Sequence, residues 1–166
     1  MNELIEQLKS AYAVLVVPAR ADTQAAAVPA VVQPTDPERR GCHLEVTVTP
    51  AVVVEAAQVA NRFGFAIDTI TGIDWPEAGQ MEVVYDFFHP QHRLHLVVRT
   101  RVPRDAPALP TIQDVFPGAN WHERETHDFF GIKFIGHPDL TPLLLPEDAD
   151  YHPLRKDFTN VSRSSN

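Results

Sequence analysis

Eight histidines, 22 acidic residues and a single cysteine are the side chains with which this chain could do chemistry. His89, His92 and His95 recur at even spacing, as the ligands of one metal ion can. Two of them fall in a turn and His95 on a strand, so strand periodicity does not aim the three imidazoles at one point. A solvated hairpin tip is the simpler reading. His122 and His127 are five apart and diverge on a helix, whereas Glu123 and His127 are four apart and share a face. A carboxylate and an imidazole so placed can act as a hydrolytic base or form a hydrogen-bonded couple. With Asp128 beside them they are the cluster on which a free-standing small enzyme would be built. No nucleophile or third ligand accompanies them, which favours structural pairing. Cys42 stands alone, so the chain offers neither an internal disulfide nor a thiolate cluster, and a reducing compartment is the default.

That cluster sits in Asn120–Phe158, the stretch to which the rest of the chain leads. Asn120 is placed to cap a helix, with Glu123 at the third helical position reaching back to the cap. Trp121 through Phe130 continue the helix, and Gly131 stops it in the left-handed conformation. Arg124 and Asp128 share one face, in the order that opposes the helix dipole, so as an isolated pair they contribute at most a few tenths of a kcal/mol, roughly. Beyond Gly131 come Ile132, Phe134, Ile135, Leu140, Leu143, Leu144 and Leu145, the last three bracketed by Pro142 and Pro146. Prolines that close exclude a regular helix or a central strand. A long, apolar, irregular segment needs backbone partners, either as an internal wrap or as a strap across a larger protein. The strap is favoured, because so many leucines without regular structure are hard to cover from within. Pro138, Pro142 and Pro146 lower the entropy lost when such a run docks. Further on, Pro153 fixes the approach, Leu154 and Phe158 can anchor, and Arg155 can clamp a carboxylate or backbone oxygen. Residues Thr159–Asn166 read as a disordered polar tail.

The elements that must position this stretch come before it. Leu4, Ile5, Leu8 and Ala11 give Asn2–Ala11 a helical stripe, Tyr12–Val17 is β-prone, and Ala19–Arg40, punctuated by prolines, reads as an exposed, partly mobile loop. His43–Thr49 alternates as a strand with Leu44, Val46 and Val48 on one face. Thr49 and Pro50 then open a helix that buries Val52, Ala56, Val59 and Phe63 and closes at Gly64. Phe65–Thr71 is a further strand, with Gly72–Pro76 turning out of it. Met81–Phe88 and Arg93–Arg101 form a hairpin through His89–His92. Strands interrupted by helices but ending in a meander predict an α+β fold, a compact domain with a mixed or antiparallel sheet and packed helices over residues 1–119, followed by an extended C-terminal arm over 120–158. The formal charge of -8 excludes a nucleic-acid footprint, and 44% hydrophobic residues is ordinary for a soluble protein. Neither a signal peptide nor an apolar run long enough to span a bilayer is read, so a soluble, cytosolic protein is expected, reaching a membrane only through a partner.

The wording of the arm resembles the 30-kDa subunit (the C subunit) of respiratory complex I, and more distantly the matching subunit of energy-converting membrane-bound [NiFe] hydrogenases. The residues that carry the likeness are Glu123-Arg124-Glu125, Asp128, Phe130-Gly131-Ile132, Phe134, Gly136 through Leu140, Leu144, Pro146-Glu147-Asp148 and His152 through Phe158. The resemblance implies a non-catalytic subunit of the hydrophilic arm of an NADH–quinone oxidoreductase, peripheral on the cytoplasmic side of the inner (plasma) membrane. NADH, FMN, iron–sulfur clusters and quinone would be bound by other subunits and none by this chain. The partners implied are the large subunit related to hydrogenase large subunits and neighbouring iron–sulfur subunits. The interface assigned on this basis comprises Glu123, Arg124, Asp128, Phe130 and Gly131 on the helix, His137, Pro138, Leu140, Leu143, Leu144 and Leu145 on the apolar run, and Pro153, Leu154, Arg155, Lys156 and Phe158 beyond it. Thr141-Pro142 stands where family members often carry basic residues, and His127 where an aromatic is common. Either suits a hydrogenase-type or other complex I-like assembly, and the equivalent subunit of a membrane-bound [NiFe] hydrogenase complex stays open as the alternative.

Overall fold

The computed structural model describes residues 2–15 and 30–159. The expected hairpin is its centre: β4 (Gln80–His89) and β5 (Leu94–Pro103) pair antiparallel, from Gln80 opposite Pro103 to His89 opposite Leu94. At one edge β3 (Ala66–Trp75) runs antiparallel to β4; at the other β2 (Leu44–Thr47) runs parallel to β5, and β1 (Val31–Pro34) closes the sheet antiparallel to β2. The order is β1-β2-β5-β4-β3. Alternation aims Leu44, Val46, Met81, Val83, Tyr85, Phe87, Leu94, Leu96, Val98 and Val102 at one buried face. Helices α1 (Asn2–Ala13), α3 (Val53–Arg62) and α4 (Ala119–Phe130) supply Leu8, Tyr12, Ala56, Val59 and Phe130 to the same core. A short parallel pair, β6 (Ala108–Pro110) and β7 (Lys133–Ile135), adds Leu109 and Phe134. The fold is α+β with a mixed, mostly antiparallel sheet, as the strand order predicts.

Among the described residues the opposite face of the sheet carries a network of charge and no helix. Glu45 and Arg99 lie 3.2 Å apart, Arg99 and Glu82 3.8 Å, and Arg101 and Glu82 3.4 Å, while the Trp75 indole donates to Glu82 at 3.0 Å. Such cross-strand pairs make a polar surface that does not invite another sheet.

Several local expectations are corrected. Tyr12 and Ala13 are helical, not the start of a strand, because the Tyr12 hydroxyl reaches across to donate to the Ala56 carbonyl at 3.0 Å. Within the expected loop of residues 19–40, β1 forms by pairing with β2, and Pro37–Arg40 makes a helical turn, α2, capped by the Asp36 side chain. The rest of the β-prone run at 16–17, the remainder of that loop at 19–29 and the tail at 160–166 lie outside the described residues. Thr49 makes no side-chain cap, and its helix opens as a 3-10 turn over Pro50–Val52. Gly72–Trp75 does not turn: β3 continues through Trp75, and the turn is Pro76–Ala78. His89 is not a solvated tip residue; it is buried, edge-on to Phe65 at 5.1 Å, and its Nδ1 accepts from the His92 amide at 3.3 Å.

At Gly72 the sheet comes into close contact with Phe130 of α4. A methyl group there would sit 2.5 Å from the Phe130 ring. Gly72→Ala is therefore expected to destabilise the domain by about 1–3 kcal/mol through overpacking, read as a lowered urea midpoint.

Candidate functional site

The turn at Phe116–Gly118 is already helical in its bonding, with the Ala119 amide donating to the Phe116 carbonyl at 2.8 Å. The helix α4 consequently starts one residue before Asn120, no side chain caps it, and Glu123 is not spent on a capping box. Instead its carboxylate turns into the core, where it accepts from the Ile112 amide at 2.8 Å and from the Thr111 hydroxyl. Its partner across the arm is His137, 3.9 Å away, rather than the expected His127. The His137 Nδ1 accepts from the Asp139 amide, which places the ring proton on Nε2, facing the Asn120 carbonyl at 3.3 Å. Burial pushes the Glu123 carboxyl up to about 7 against the pull of its Thr111 and Ile112 donors, and the nearby Asp114 charge adds to the rise.

A second face of α4 grips the arm. Arg124 and Asp128 do share it, but they pair with the arm and not with each other. The Arg124 guanidinium donates to the Thr141 carbonyl at 3.1 Å, to its hydroxyl at 3.2 Å and to the Pro142 carbonyl at 3.3 Å. Asp128 Oδ2 accepts from three successive amides, Leu143 and Leu144 at 2.8 Å and Leu145 at 3.3 Å. A carboxylate in a cup of consecutive N–H groups satisfies the backbone that Pro142 and Pro146 keep out of regular structure.

The end of α4 supplies the next set of anchors. Its terminal carbonyls have no partner inside the helix. The Asp128 carbonyl meets the His152 imidazole at 2.8 Å, the Phe129 carbonyl accepts from the Leu154 amide at 3.2 Å, and the Phe130 carbonyl accepts from Arg155 Nε at 2.8 Å. A guanidinium here also complements the negative end of the helix dipole. Gly131 takes the left-handed conformation, φ 73°, and a side chain there would collide with His152 and Arg155. His127, kept from Glu123, bonds to the Ile132 carbonyl at 2.9 Å across the same turn.

Sequence reasoning missed the last anchor. Buried Asp74 accepts from Arg104 at 2.7 and 2.9 Å and from the Lys156 amide at 2.8 Å, and Arg104 also reaches Asp157 at 2.8 Å. The Arg104 hydrogen bond holds the Asp74 carboxyl below the usual carboxylate range despite burial. These residues are far apart in sequence, and only the charge signs could have hinted at the pairing.

Of the assigned interface residues, Glu123, Asp128, Phe130 and Gly131 are buried, and they can serve a partner only by shaping the arm. Leu140 is half-buried against the core, and Leu143 and Leu145 are half-buried within the loop. Outward point Leu144 and Leu154, 60% and 51% exposed, with Trp121 and Ile135 alongside at 61% and 64%. The enzyme-like set disperses, with Glu123 bound to residues 111–112, His127 to Ile132 and Asp128 to residues 143–145. Asp68, Asp86 and His95 come within metal-ligand range of one another on the open sheet face, where His95 and Asp86 already lie 3.5 Å apart. Among the described residues no helix is long and apolar enough to cross a membrane.

An α+β domain whose last helix holds down an apolar, proline-rich arm is the class of protein that these contacts define. The family described as respiratory-chain NADH dehydrogenase, 30 Kd subunit, matches residues 46–164, and the chain belongs to it. It is 41% identical over 91 residues to the C subunit of the F(420)H(2) dehydrogenase of Methanosarcina mazei, covering 54% of this chain and 58% of that one. It is 39% identical over 120 residues to the C subunit of the NADH-quinone oxidoreductase of Roseiflexus sp., covering 69% and 68%. Among solved structures, a chain of the membrane-bound sulfane sulfur reductase, an archaeal respiratory membrane complex, superposes with a TM-score of 0.71 at 26% identity, over 96% of this chain and 86% of that one. A trypsin-resistant fragment of Nqo5 matches at 0.54 and 33% identity, over 58% and 82%.

The anchors can be tested one at a time. Asp128→Ala is expected to cost about 1.5–3 kcal/mol and to speed hydrogen exchange at the Leu143–Leu145 amides ahead of the sheet amides. For Glu123 the folded carboxyl titrates above its unfolded value of 4.5, so its contribution is complete below about pH 4.5 and is lost as pH rises to about 7. Glu123→Gln keeps an acceptor for Ile112 and a donor for Thr111. The unfolding free energy from urea titrations should therefore fall with pH across that window in the parent, by up to roughly 1.4 kcal/mol per pH unit, and fall less in the variant.

Proposed function

We propose that this chain is a non-catalytic structural subunit of the hydrophilic arm of a complex I-like NADH–quinone oxidoreductase. Its C-terminal arm lies across the large subunit related to hydrogenase large subunits and braces the iron–sulfur relay that leads to quinone. NADH, FMN, the clusters and quinone belong to the other subunits, and the chain reaches the cytoplasmic face of the membrane through them. The observation that carries this reading is the division of the arm: its backbone is satisfied by α4 and Asp74, while Leu144 and Leu154 are left to solvent. Apolar side chains on a backbone already ordered are what an interface anchor requires. The names of the Roseiflexus relative and of the matched family favour the NADH–quinone version.

A second version places the chain in an energy-converting assembly of hydrogenase type. The superposition on the sulfane sulfur reductase chain and the relation to the F(420)H(2) dehydrogenase, both named for chemistries other than NADH–quinone, support keeping an alternative to that chemistry open, of which the hydrogenase type is one. The physical role is the same in both. The large partner tells them apart, since four nickel-ligating cysteines in it point to hydrogenase chemistry and their absence to quinone.

Native purification of the tagged chain from solubilised membranes tests the role. The expected result is a stoichiometric large subunit with the intact chain, and its loss from the double variant Leu144→Asp, Leu154→Asp, whose circular dichroism and urea midpoint stay those of the parent. A chain recovered alone, or turnover by the isolated chain, would overturn the proposal.

A further inference from the structure

Between Phe134 and Leu154 the chain carries Asp139, Glu147, Asp148 and Asp150 and not one lysine or arginine. Asp139 is occupied locally, accepting from the Thr141 amide at 2.9 Å. Glu147, Asp148 and Asp150 are exposed, and among the described residues none of them forms an ion pair or a side-chain hydrogen bond. Three nearby guanidinium groups are turned inward: Arg155 on the Phe130 carbonyl, Arg124 on Thr141 and Pro142, and Arg104 on Asp74 and Asp157. Lys133 and Lys156 are exposed and flank the run at its two ends, so the outward charge is acidic within the loop itself. Exposed Leu144 stands before this acidic run, and Tyr151 and Leu154 follow it, with Tyr151 stacked on Phe158 at 5.6 Å. Pro146 and Pro153 stiffen both ends.

We propose that the loop around Glu147, Asp148 and Asp150 docks on a protein surface whose apolar groove receives Leu144 and Leu154 and whose rim is lined with lysine or arginine. This rests on the reading of the arm as an anchor within a complex and gives its partner a chemistry. The leucines supply affinity, and the acidic residues, being exposed and unpaired, supply attraction at a distance and orientation. A membrane surface carrying anionic lipid is disfavoured by the same charges, as is a second copy of this chain, whose formal charge is -8.

The test is association of the full chain with the complex purified without it, followed at low and high salt. The parent is expected to associate more slowly as ionic strength rises from about 0.05 M to about 0.5 M. The combined variant Glu147→Lys, Asp148→Lys, Asp150→Lys should associate about tenfold more slowly at low salt and approach the parent at high salt. The same charge change made elsewhere, as Glu3→Lys, Glu38→Lys, Glu55→Lys, should have a clearly smaller effect; both variants alter exposed residues, and circular dichroism checks their folding. Equal rates for the parent and the loop variant would overturn the acidic-rim inference and leave the structural-subunit reading standing. Dimerisation of the isolated chain through this loop, or capture by anionic vesicles, would also overturn it. Failure of the parent to associate at all would remove both.

Discussion

The polar end of α4 is the constraint from which the rest of the arm follows. A helix that stops at Gly131 leaves its last carbonyls without partners, and a proline-rich segment leaves its own amides without partners. Here the two deficits cancel in part. The Asp128 side chain serves the amides of Leu143–Leu145, while the Asp128, Phe129 and Phe130 carbonyls are served by His152, Leu154 and Arg155. Neither half would be satisfied in isolation, so the final helical turn and the arm are one structural unit despite their different appearance in sequence.

Much of the scaffold was legible because its signals are local. The hairpin of β4 and β5, the buried stripe of α3 and the stop at Gly131 each rest on period or on one residue's backbone freedom. The reading faltered where a distant partner outweighed local preference. Glu123 has the spacing of a capping residue, yet Thr111 and Ile112 claim it, because the helix begins earlier through the Phe116–Gly118 turn. Residues 31–34 carry too little strand pattern to be recognised without β2 beside them. The Asp74–Arg104–Asp157 clasp is invisible to any short window, since no periodicity links its three members. Residue type alone picks out interface candidates, and burial then sorts them into those that hold the arm and those that face out.

Glu123 shows how a buried acid is accommodated without a firm counter-charge. Two donors and a histidine 3.9 Å away surround it, but the Asp139 amide fixes the tautomer of that histidine, and desolvation outweighs the donors. The carboxyl therefore ties the turn at residues 111–112 to the base of the arm as a group that readily carries a proton. Uncharged, it is at little cost in the core; charged, it leans on both donors.

An arm tied down by its own domain invites the objection that a strap with partners has less reason to seek another. The energetics run the other way. Ordering one residue of a free chain costs about 1–2 kcal/mol, so a loose strap of this length would forfeit tens of kcal/mol, roughly, on docking. Hydrogen bonds accepted by Asp128 and Asp74 and donated by Arg124 and Arg155 offset part of that cost within the folded chain, and they engage the arm's backbone, the Thr141 hydroxyl and the Phe130 carbonyl. Among the described residues they leave Leu144 and Leu154 uncovered. The arm divides its leucines: Leu140, Leu143 and Leu145 turn partly inward, while Leu144 and Leu154 stay outward on a backbone already held in place. That outward pair is the part of the arm that the proposed partner surface would cover.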